Sequence, residues 1–123
     1  MARVVAYIPD LLFGSQVQGT LRAAGHELEL VANASDVGHW LAGADVLVFD
    51  LTDDVPGRID SFEALKKGSA RIPALAFYAH VEAETRASAQ AAGFDLVVPR
   101  SRMARDGAQL VEGLVTQQTS DSG

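Results

Sequence analysis

The chain has 123 residues, 48% of them hydrophobic, and carries a formal net charge of −6 from 10 Lys+Arg against 16 Asp+Glu. That length makes one domain that buries about two-thirds of the surface its unfolded chain exposes, and zero cysteines exclude disulfide frameworks, thiolate metal sites and cysteine nucleophiles. A direct nucleic-acid binder normally carries a basic patch, so the acidic balance disfavours that reading. No apolar run reaches the ~18 residues of a membrane span, and the first apolar stretch is too short for a leader, so a cytoplasmic domain is expected.

Val4 to Ile8 is a short apolar run of the kind buried on both faces of a parallel sheet, closed by Pro9. Phe13, Val17, Leu21 and Ala24 then recur at helical spacing, with Gly25 where a left-handed cap belongs. Leu28 to Val31 alternates with Glu27 and Glu29, which suits an edge strand with one wet face. Asn33 and Ser35 are candidate N-caps for a short helix carrying Val37, Trp40 and Leu41, ended by Gly43. Trp40 is expected in the core, and His26 and His39 in solvent at helix ends.

Val46 to Phe49 is the most apolar strand and stops at Asp50. Thr52 to Gly57 is turn chemistry. Ile59, Phe62 and Leu65 form a helical stripe stopped by Gly68, and Pro73 opens a fourth strand, Ala74 to Tyr78. Residues 81 to 92 are alanine-rich and helix-prone, capped by Gly93. Asp95 to Val98 is the fifth strand, closed by Pro99, and Leu110, Val111, Leu114 and Val115 share one side of a last helix. The expected domain is 1–115, with 116–123 a frayed polar tail.

Five strands alternating with five helices predict a doubly wound α/β sandwich with a five-stranded parallel sheet in the order 2-1-3-4-5, a flavodoxin-like three-layer fold. Ligands of such sheets sit beyond the carboxyl ends of the strands at the switch point, here between the first and third. The residues expected on that rim are Asp10, Asp50, Asp53, Tyr78, His80, Arg100 and Ser101. Each also has a plain structural reading: Asp10 as a helix cap, Asp53 as a turn residue, Ser101 as the cap of the last helix, Tyr78 as a strand end whose hydroxyl reaches the rim. Asp10, Asp50 and His80 together would suit Mn²⁺, Fe²⁺ or Zn²⁺ better than Mg²⁺. No GxGxxG, GxxxxGK[ST] or GxSxG spacing occurs.

The segment Ala44-Asp45-Val46-Leu47-Val48-Phe49-Asp50-Leu51 resembles the third strand of response-regulator (CheY-like) receiver domains, in which the closing Asp is the phosphoacceptor. Pro73-Ala74-Leu75-Ala76-Phe77-Tyr78-Ala79 resembles their fourth strand, and Ala91-Ala92-Gly93-Phe94-Asp95 the approach to their fifth. The likeness spans Arg3 to Val115. It implies a bacterial two-component signalling module, with Asp50 the phosphoacceptor position and Mg²⁺ at Asp10 and Asp50 if Asp50 is phosphorylated in a phosphorelay. The departures are specific: Ile8-Pro9 or Pro9-Asp10 stands at the acidic pair, Tyr78 at the Thr/Ser position, and Pro99-Arg100 near the missing Lys-Pro. Phosphoryl transfer works by charge neutralisation and positioning, so each lost charge is costly. The expectation is therefore a degenerate, or pseudo-, receiver. It would be a stand-alone regulatory module, not an enzyme, and would act by protein contact. As the resemblance implies, that contact would use the fourth helix, fifth strand and fifth helix, with a homodimer one form of it. The alternatives are a working response regulator phosphorylated on Asp50, and a small-ligand or metal-binding protein using Asp10, Asp50, His80 and Arg100.

Overall fold

The computed structural model describes residues 2–67, 72–79 and 83–122, with side chains described through residue 116. In chain order the elements are β1 (Arg3–Tyr7), α1 (Leu11–Ala23), β2 (Glu27–Val31), α2 (Ala34–Trp40) and β3 (Val46–Asp50). They continue as α3 (Val55–Lys67), β4 (Ala74–Tyr78), α4 (Ala83–Ala92), β5 (Leu96–Pro99) and α5 (Arg100–Ser122). All strand pairs are parallel and the order is β2-β1-β3-β4-β5, as expected.

Alternation along the strands divides the core into two layers. Val4, Ala6, Val46, Val48, Leu75, Phe77 and Val98 pack against Phe13, Val17 and Leu21 of α1 and Met103, Val111 and Leu114 of α5. On the other face Val5, Leu47, Phe49, Ala76 and Val97 meet Val37 of α2, Ile59 and Phe62 of α3, and Ala89 and Ala92 of α4. Phe49 anchors this second layer: its ring meets those of Tyr7, Phe62 and Phe94 edge-on at 5.4, 5.4 and 5.6 Å, and Phe62 stacks on Phe94 at 3.8 Å. Such pairs add about 0.5–1.5 kcal/mol each beyond their buried area.

Several local expectations change. The turn segment Thr52–Gly57 is shorter than its composition predicts, because α3 already starts at Val55; Pro56 is tolerated in a first turn, where no N–H partner is lost. The stretch 116–122, expected to fray, continues α5. It contains no Pro or Gly, and extending a formed helix costs far less than starting one. Trp40 is only half-buried, packed at the edge of the second layer under the Arg3 guanidinium at 5.8 Å. His39 is exposed as predicted.

His26 departs most. It is 6% exposed. After α1 ends, Gly25 at φ +91° turns the chain and aims the imidazole inward. Nδ1 accepts the Ala2 N–H at 3.0 Å, and Nε2 lies 3.3 Å from Oε1 of Glu112 on α5. The ring therefore ties the start of β1 to α5.

Candidate functional site

The carboxyl ends of β1, β3 and β5 carry the polar residues of the rim. Asp50 ends β3 and is 2% exposed, one of two buried polar or charged side chains among the described residues. Its Oδ1 accepts the Thr52 N–H at 2.8 Å and a short bond from the Thr52 hydroxyl. The third partner is Arg58, from the first turn of α3. Its Nη1 donates to the Asp50 main-chain oxygen at 2.8 Å and stands 3.5 Å from Oδ1. The Arg58 side chain is 11% exposed, and its guanidinium lies over the Tyr7 ring at 5.5 Å. A buried carboxylate is tolerated only with a counter-charge and hydrogen bonds, and here the chain itself supplies both.

The β3–α3 connection is built to deliver that arginine. Asp54 sits in the left-handed region at φ 44°, and its carbonyl accepts the Arg58 N–H at 3.0 Å. The Asp54 carboxylate folds over Gly57, where a Cβ would stand 2.4 Å from Oδ2. The loop closes on itself between Asp50 and Arg58.

Asp10 serves elsewhere. It is the N-cap of α1, with Oδ1 accepting the Phe13 N–H at 3.1 Å. Its Oδ2 pairs with Nη2 of Arg100 at 3.4 Å, both side chains being half exposed. Arg100 also covers the Phe13 ring at 4.2 Å. The two carboxylates of the rim therefore turn to different arginines. Among the described residues no group of three or more His, Cys, Asp or Glu could hold a metal ion; His80 lies outside the described residues.

The remaining rim candidates separate from the site. Asp53 is exposed and accepts the Asp54 N–H at 2.9 Å, a local turn bond. Tyr78 is buried among the second-layer side chains rather than presented on the rim, since the alternation along β4 places it with Ala74 and Ala76. Ser101 is exposed in the first turn of α5 and is not its cap, because the helix follows Pro99 directly at Arg100. Thr52 was expected beyond the end of the third strand; Arg58 is the site residue that motif reading missed. One signal pointed to Arg58: a cation near a helix N-terminus is disfavoured by the dipole and calls for a compensating partner.

No protein-family model matches the sequence, and no curated protein matches it. Solved structures do match. The receiver domain of the Francisella response regulator 1452 superposes with a TM-score of 0.84 at 14% identity, covering 96% of this chain and 99% of that one. A response regulator from Thermotoga maritima gives 0.83 at 11% identity, covering 94% and 98%. A response regulator receiver domain protein from Clostridium thermocellum gives 0.83 at 13%, covering 97% and 98%. At such identities the likeness concerns the fold: the chain has the three-layer architecture of response-regulator receiver domains.

Proposed function

We propose that this chain is a receiver-fold signalling module that delivers its output by protein–protein contact, without standard phosphotransfer to Asp50 and without enzymatic turnover. The observation that carries the reading is the state of Asp50. Its Oδ1 is bonded to Thr52 and faces Arg58, and the residue is buried. Phosphoryl transfer needs groups beside the acceptor that are free to neutralise the transferred charge, and the cation beside Asp50 is already spent on its Oδ1 and main-chain oxygen. Neither Tyr78, buried among apolar side chains, nor Arg100, paired with Asp10, offers what a Thr/Ser and a Lys would.

The contact face of this reading is α4, β5 and α5. Ala83, Ala87 and Ala91 are exposed while Ala89 and Ala92 of the same helix hold the core, so the helix has a small, uncharged stripe free for close approach. A second copy of the chain is one partner it would suit. The test is intact mass after incubation with a small phosphodonor and Mg²⁺, beside Asp50→Ala. The expected result is no adduct on either; an adduct on the wild type alone would establish a working response regulator instead.

A further inference from the structure

A cation beside Asp50 would meet a carboxylate whose Oδ1 is already engaged by Thr52 and Arg58. We infer that Arg58 is an intramolecular counter-ion that locks Asp50, standing where a divalent cation would otherwise bind and holding the pocket in one state with or without Mg²⁺. This rests on the function proposed above and specifies how the site is regulated.

Three observations carry it. The guanidinium reaches both the Asp50 main-chain oxygen and Oδ1, at 2.8 and 3.5 Å, so it grips the end of β3 rather than one rotatable carboxylate. Its guanidinium also lies over the Tyr7 ring at the end of β1, 5.5 Å from the centroid, so the same side chain spans the two strands that flank the switch point. Its place is set by the chain before it, through Asp54 at positive φ and the Asp54 carbonyl on the Arg58 N–H. A metal ion entering here would face a fixed positive charge and would find Oδ1 already hydrogen-bonded. Asp10, the other rim carboxylate, is held as cap and ion-pair partner on α1.

A double-mutant cycle with Arg58→Gln and Asp50→Asn, read by urea unfolding, tests the lock, together with a Mg²⁺ titration of the wild-type amide spectrum. Each single variant leaves a buried group without its partner, and each is expected to lower the folding constant by about 100-fold or more. The double variant is expected to lose less than the product of the two, by about tenfold or more. Millimolar Mg²⁺ is expected to leave the amides of Thr52 and Arg58 unmoved. Losses that simply multiply, or saturable Mg²⁺ shifts centred on Asp50, overturn the lock. If Arg58→Gln does not fold, Arg58→Lys replaces it in the cycle, keeping the charge but not the fork, and the wild-type titration stands by itself. Failure of the lock is distinguishable from failure of the proposed function: a phosphoryl adduct on the wild type refutes the function, whereas multiplicative losses without an adduct refute only the lock.

Discussion

Replacing His26 by Ala is expected to cost far more than a surface histidine would, and the structure sets the size of the loss. The imidazole accepts the Ala2 N–H at 3.0 Å in a buried setting, so truncation strands a main-chain donor at about 1–3 kcal/mol. Its second partner, Glu112, has a side chain 55% exposed and contributes only about 0–1 kcal/mol. The sum is about 1–4 kcal/mol, a fall in Tm of about 5–15 °C for a domain of this size. His26→Asn places a carbonyl oxygen near the position of Nδ1, keeps the acceptor and is expected to recover more than half of the loss, whereas Glu112→Gln is expected to cost about 0.5 kcal/mol or less. Urea unfolding followed by the fluorescence of Trp40, the chain's single tryptophan, measures all three. If His26→Ala costs no more than Glu112→Gln, or if Asn is as damaging as Ala, the buried-acceptor reasoning is refuted.

Asp10 separates capping from metal binding. Asp10→Asn keeps an excellent N-cap and is expected to change stability by less than about 0.5 kcal/mol, while Asp10→Ala loses the bond to the Phe13 N–H and costs about 1 kcal/mol; a large, Mg²⁺-dependent effect of Asp10→Asn in thermal melts would make it a ligand instead. On α4, Ala87→Arg adds a charge to an exposed position and is expected to alter stability by no more than about 0.5 kcal/mol in the same urea assay. A loss well above that would mean the Ala83/Ala87/Ala91 stripe is packed rather than free, and the contact face would be withdrawn.

The sheet was legible because four of its strands are compact apolar runs ended or opened by Pro or Asp, the mark of buried parallel strands, while β2 alternates Leu with Glu as an edge strand does. The Asp10 and Asn33 caps were legible for an equally local reason: a short polar side chain before an apolar stripe has one good use, and both accept the N–H three residues on. The start of α3 was hidden because Asp53-Asp54-Val55-Pro56-Gly57 satisfies turn chemistry and a first helical turn equally well. Arg58 escaped with it. Its partner lies eight residues back in the chain, and no periodicity links them; the positive φ of Asp54 and the start of α3 that follows bring the guanidinium to Asp50. His26 was misplaced because both of its partners are distant, Ala2 by 24 residues and Glu112 by 86. Tyr78 shows the reverse: its position at a strand end suggested the rim, and the alternation of β4 outweighed that.

The most direct test of the central claim is whether Asp50 accepts a phosphoryl group. Intact-mass measurement of the wild type and Asp50→Ala, each incubated with a small phosphodonor and Mg²⁺, decides it. The account predicts that the wild-type mass stays unmodified, because Asp50 is buried with Arg58 and Thr52 already engaging its Oδ1. A phosphoryl adduct present on the wild type and absent from Asp50→Ala would contradict it.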